Sequence, residues 1–200
     1  MSQKKTLLKY TKYVMWGTVA LIPPAAFFYL LEFYTHNPFA EVRPWAQLFN
    51  IVLFELLAGI FLCITERLRT AYRIEGTAAL VFGLANAYVV RFRTNPLVPW
   101  DILSWRTAVS VSGNYDFTPD TRMIVVTILF LALIIGLQPV KFKIGRPGFF
   151  KRCLPGVVLG AVLVMFAGTL QQENFQNEHR LYNKLFTPVF MTQVDGIPVT

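Results

Sequence analysis

The stretch MIVVTILFLALIIGLQPV, Met123–Val140, runs from end to end without a charged residue. A helix rises about 1.5 Å per residue and a hydrocarbon core is about 30 Å thick, so roughly 20 apolar residues cross it. Met123–Val140 therefore reads as a membrane span. Outward from it, Cys153–Gln172 and Tyr13–Leu31 are equally free of charge. Ala46–Thr65 is interrupted only by Glu55, and Ile74–Val90 begins its charge-free part after Glu75. These stretches predict an all-α, polytopic integral membrane protein with five transmembrane helices, over 13–34, 46–65, 74–90, 123–140 and 153–172. A composition of 54% hydrophobic and 15% charged residues agrees, because such a chain has too little polar surface for a water-covered domain.

The formal charge of +8 is concentrated. Lys4, Lys5, Lys9 and Lys12 precede the first span, Arg67, Arg69 and Arg73 follow the second, and Lys141, Lys143, Arg146, Lys151 and Arg152 follow the fourth. If every span crosses once, the three segments share one side, and the positive-inside rule makes that side the cytoplasm. The expected amino terminus is inside and the carboxyl terminus outside, and the basic residues report orientation, with no nucleic acid as partner. The first span is too long for a cleavable signal, and no small-residue cleavage site follows it in Glu32–His36. Cys63 and Cys153 fall on the reducing side in this arrangement and are expected as free thiols.

The long outer connection carries a helical pattern. Asp101 follows Pro99 at a helix-starting position, Ile102, Trp105 and Val109 recur at helical spacing, and Gly113 and Asn114 supply a stop. This predicts an external interfacial amphipathic helix over about 100–112; a covering loop whose tryptophans join the aromatic belt fits the same pattern. Small residues at Gly76, Ala79, Gly83 and Ala87, and at Gly156 and Gly160, predict faces that meet other helices, whereas the fourth span has no such face and should meet lipid. Pro23 and Pro24 are expected to bend the first span.

Few residues here can carry chemistry. Glu55 sits near mid-span, where an ionisable group is costly. A protonated carboxyl with Asn50 or Asn86 as polar company is the first reading, ahead of a proton or substrate relay. Arg91 and Arg93 end the third span, where guanidinium groups can fork onto a lipid phosphate while Trp100, Asp101 and Trp105 close over the headgroup. Snorkelling anchors are the alternative for either arginine. The sequence holds no metal-ligand spacing of histidines and carboxylates, no Gly-rich phosphate loop and no nucleophile elbow, and His36 and His179 stand alone.

One longer pattern narrows the field. Tyr72-Arg73-Ile74, Phe82-Gly83-Leu84-Ala85-Asn86, Arg91-Phe92-Arg93-Thr94-Asn95-Pro96-Leu97-Val98-Pro99-Trp100-Asp101 and Ser112-Gly113-Asn114-Tyr115 together resemble the amino-terminal membrane region of the lipoteichoic acid synthase family. The tail around Tyr182-Asn183-Lys184 is similar to that family's linker between membrane and ectodomain. The resemblance implies a phosphoglycerol transferase of the sulfatase and alkaline-phosphatase superfamily, in a bacterial plasma membrane, with phosphatidylglycerol as its lipid. It also implies a threonine nucleophile and a manganese or magnesium ion, both in an extracellular domain beyond Thr200. No residue of this chain matches them, so the chain is expected to be inactive alone and to need no cofactor. On this reading 1–172 is the membrane domain and 173–200 an extracellular linker toward the absent catalytic half. The alternatives are a free-standing non-enzymatic membrane protein that assembles with or regulates an envelope enzyme, and a small transporter or flippase centred on Glu55.

Overall fold

A computed structural model describes residues 20–98, 101, 106, 113, 116–140, 142–143, 149–181 and 188–197. The chain is all-helical there: α1 (Ala20–Glu32), α2 (Pro38–Glu41), α3 (Pro44–Thr65), α4 (Leu68–Arg93), α5 (Thr121–Gly136), α6 (Phe149–Leu170), α7 (Glu173–Glu178) and α8 (Pro188–Asp195). Two helices, α3 and the Cys153–Leu170 part of α6, are long and apolar enough to cross a membrane. The interfacial helix expected over 100–112 lies outside the described residues apart from Asp101 and Arg106, as do the lysines that precede the first span.

The helix limits depart from the apolar runs for local reasons. The third predicted span, 74–90, is the middle of a 26-residue helix, because charged residues at its ends extend outward without interrupting the backbone ladder. The fourth starts earlier than expected, at Thr121, since the Asp120 side chain accepts the Met123 N–H at 2.7 Å and caps it. It ends at Gly136, ahead of Pro139, which offers no backbone donor to continue it. The segment 173–200, expected as a linker, contains α7 and α8.

Packing centres on α3, which lies against α4 and α6, while α4 also carries α5. Helix α1 fills the groove between α4 and α5. Its Phe27 ring sits where a Cβ on Gly76 would come within 2.6 Å, and the Tyr34 ring, just beyond its end, bears on Gly83 in the same way. The small-residue stripe Gly76, Ala79, Gly83 and Ala87 is buried throughout. From the other side Phe130 of α5 stacks on both rings, at 6.1 Å from Phe27 and 6.0 Å from Tyr34. Tyr34 Oη also shares a 2.8 Å hydrogen bond with Thr127. Within a bilayer such contacts act through close packing and polar pairing, a pair of this kind contributing about 0.6 kcal/mol. On α6, Gly156 meets Cys63 of α3, but the space around Gly160 is open. Most of α6 faces outward, with Leu154, Val157, Val164 and Met165 each about 70% exposed.

The two ends of the bundle are tied separately. At one, Arg67 bridges to Lys143 and Leu68 N donates to Phe142 O, so the α3–α4 and α5–α6 connections meet. At the other, Arg122 donates to Thr35 O at 2.9 Å and Arg91 to Thr118 O at 2.7 Å. The tail returns to this second end, where Val194 O accepts from Arg43 N at 2.8 Å.

Candidate functional site

Arg91 and Arg93 stand in the last turn of α4, whose Thr94 cap takes a left-handed conformation and turns the chain back. Pro96–Val98 then runs beside the helix end. Asn86, 1% exposed, accepts the Leu97 N–H at 2.7 Å and pins this return. Arg93 forks onto Asp101: Nη1 donates to Oδ1 at 2.7 Å, Nη2 donates to Oδ2, and Nη2 also reaches Pro96 O at 2.9 Å. Those donations hold the Asp101 carboxyl below the usual carboxylate range, with the Val98 N–H adding to them. Arg91 is spent less completely. Beyond its bond to Thr118 O it lies 3.9 Å from Asp116, whose charge is held mainly by Thr118. Of the five residues expected at a headgroup, the structure thus joins Arg93 to Asp101 and sets Arg91 on a neighbouring strut, while Trp100 and Trp105 lie outside the described residues.

Neither expected companion of Glu55 meets it. Asn86 serves the outer loop, and Asn50, fully buried, donates to Ala46 O at 2.9 Å and to Asp195 O at 2.8 Å. What approaches Glu55 is Glu75, within electrostatic range along with Tyr72. Glu75 is 2% exposed, and neither of its oxygens has a hydrogen-bond partner. The sequence reading missed it because Glu75 looked like the polar edge of a short apolar run. The helix begins at Leu68, two turns earlier, and carries Glu75 inside.

A second buried polar group was also unforeseen. Glu32, fully buried at the end of α1, accepts the Ile197 N–H at 2.7 Å, and His36 Nε2 lies 3.4 Å from its other oxygen. Burial pushes the His36 imidazole below its ordinary value, with Glu41 opposing and Arg122 assisting, which favours the neutral ring beside Glu32. Gly196 passes between Glu32 and Asn50 with φ +80°, and a Cβ there would stand 2.4 Å from Asn50 Nδ2. The pair Asp195-Gly196, a turn signal near the end of an apolar tail, was the available clue.

Among the described residues no group of three or more His, Cys, Asp or Glu is placed to hold a metal ion. Comparison with protein-family models, with curated proteins and with solved structures gives no match to this chain.

Proposed function

We propose that this chain is the membrane domain of a phosphoglycerol transferase like the lipoteichoic acid synthases. It crosses a bacterial plasma membrane five times, with the amino terminus in the cytoplasm and the carboxyl terminus outside. It anchors a sulfatase-like catalytic domain, with its threonine and its manganese or magnesium, and presents phosphatidylglycerol to it. The observation that carries this reading is the interlocking of the resembling stretch. Asn86, from one quoted run, accepts the Leu97 N–H of the next, and within that next run Arg93 forks onto Asp101, all at one end of α4. Outward-facing Leu, Val and Met side chains on α6, which water would not support, favour a lipid environment. The meeting of the Arg67 and Lys143 segments at one bundle end favours a common, cytoplasmic side for them. Within the expected headgroup site, Arg91 is the group with capacity left for a phosphate, since Arg93 is neutralised by Asp101.

The test compares this chain with the reading frame carried downstream of Thr200, each supplied with phosphatidylglycerol. Diacylglycerol should be released only by the longer product. A frame that closes at Thr200, or release by the present chain alone, would overturn the proposal. Topology is checked by single cysteines: one at Lys143 labelled only from outside, or one at Asn183 labelled only from inside, would reverse the orientation.

A further inference from the structure

At the start of α3 the tail makes a cavity of about 480 Å³, lined by Arg43, Pro44, Trp45, Glu178, His179 and Arg180. That volume lies in the range of small-molecule sites, and its His179 wall is held in place. The His179 ring stacks on Phe175 at 4.1 Å and meets Trp45 edge-on at 5.0 Å, while its Nδ1 donates to Phe175 O at 3.0 Å. Arg180 ends α7 in an unusual way. The Leu181 N–H returns to Gln176 O at 2.8 Å, a closure that puts Arg180 in the left-handed position, φ +56°, where glycine is the ordinary choice.

Among the described residues neither the Arg43 nor the Arg180 guanidinium has an ion-pair or hydrogen-bond partner, in contrast to Arg91 and Arg93. Arg43 is also the cap residue of the 22-residue α3, which has no side-chain cap, so the first-turn N–H groups add positive potential at the same place. Two arginines and Glu178 leave a net single positive charge around the cavity. That balance suits a monoanionic phosphodiester better than a dianionic phosphomonoester. Trp45, half exposed beside the cavity, is the residue type that rests at a bilayer interface.

We propose that Arg43 and Arg180 form a binding site for a phosphodiester group, held by guanidinium forks over the start of α3 and walled by Trp45 and His179. The proposal rests on the membrane reading only for the source of that group, an outer-leaflet lipid headgroup or the same headgroup free in water. The site depends on the tail, since Glu178, His179 and Arg180 all follow α6.

The experiment uses the full chain in dodecyl maltoside micelles, which carry no phosphate, titrated in one arm with phosphatidylglycerol and in the other with glycerophosphoglycerol, the same headgroup without acyl chains. Retention is read by native mass spectrometry and by phosphorus NMR. Arg180→Gly is the decisive variant, because glycine suits the left-handed position and should leave the fold intact or firmer while deleting the cation. It should weaken binding about tenfold, as should Arg43→Gln, while Arg91→Gln changes it less. Loss in the lipid arm assigns the site to a lipid, and loss in the soluble arm to a free phosphodiester. Binding in neither arm by the wild-type chain, or binding unchanged in a folded Arg180→Gly chain, overturns the site. Neither result bears on diacylglycerol release by the longer reading frame, so the site and the transferase reading fail separately.

Discussion

Two clusters of buried carboxylates occupy this helix bundle, and they differ in whether they bond to another part of the chain. At the tail end, Glu32 Oε1 accepts a backbone N–H from Ile197 and Asn50 beside it donates to the Asp195 carbonyl, so two bonds cross to the tail even though Glu32 Oε2, His36 Nε2 and Asn50 Oδ1 have no hydrogen-bond partner. In the middle, Glu55 and Glu75 approach each other across α3 and α4, with no ion pair to either among the described residues and three of their oxygens without a hydrogen-bond partner. A buried polar group costs little when its partner is built in and several kcal/mol when it is not. The first cluster is therefore a structural joint that fastens the tail, and removing a member should be expensive. The second holds nothing together, and removing a charge from it should be cheap or favourable.

The largest effect is expected where the joint is tightest. Gly196→Ala puts a methyl 2.4 Å from Asn50 Nδ2 and 3.2 Å from Glu32 Oε1, at a φ that a side chain resists. The left-handed conformation alone costs about 1–2 kcal/mol, and overpacking adds about 1–3. We expect the tail to undock, so that limited proteolysis cuts within 188–197 well below the global unfolding temperature in detergent. A tail as protected as in the parent chain would show that the joint yields without cost and would dissolve the contrast.

Asn50→Leu comes next. It keeps the branched outline but is bulkier, and it removes the donor to Asp195 O, so the lost bond costs about 1–3 kcal/mol and overpacking adds to it. Thermal unfolding in a fixed detergent should report the loss, with the early melting confined to the tail if hydrogen exchange is followed by segment. Loss spread evenly over α3 and α6 would point instead to helix packing.

Why the helices were legible in the sequence and both buried groups were not follows largely from range. The helices, the small-residue stripe on α4 and the outward face of α5 are one-dimensional signals: an apolar run or a residue every three or four positions suffices to read them. Gly76 and Gly83 could be read as a contact face, though nothing local named Phe27 and Tyr34 as the rings that fill it. The tail joint pairs Glu32 with Ile197 and Asn50 with Asp195, partners far apart in the chain, and hydropathy carries no record of such a pairing. Glu75 was hidden for a different reason. An apolar-run criterion truncates a helix at its first charges, whereas the backbone ladder runs on to Leu68. In the outer site, Arg93 and Asp101 were read as neighbours at a headgroup, and their separation of eight residues did not reveal that they would consume each other's charge.

At the middle pair the expected effects turn small and change sign. Glu75→Gln removes one of two neighbouring acidic groups and breaks no hydrogen bond, so the unfolding temperature should hold or rise. The measurement is sharpest when repeated with and without added sodium, potassium and calcium. A lower unfolding temperature for the variant, present only with one of those cations, would mean that the pair holds an ion and that the two regions are both built sites.

Glu55→Gln should do least of all. Glu55 Oε1 is shut away from water and accepts no hydrogen bond, no ion pair engages the side chain among the described residues, and glutamine has nearly the same size. The substitution breaks no hydrogen bond and removes an acidic group from the neighbourhood of Glu75, so the change is expected within about 0.5 kcal/mol of neutral. Glu55→Lys is the contrasting case, because a longer side chain with a fixed point charge must then be carried at mid-helix, and insertion should fall. Expression, extraction and unfolding of the two variants in parallel separate size from charge. A glutamine variant that folds normally yet abolishes an activity of the extended chain would show that the carboxyl itself is used, and would turn the idle middle pair into the working one.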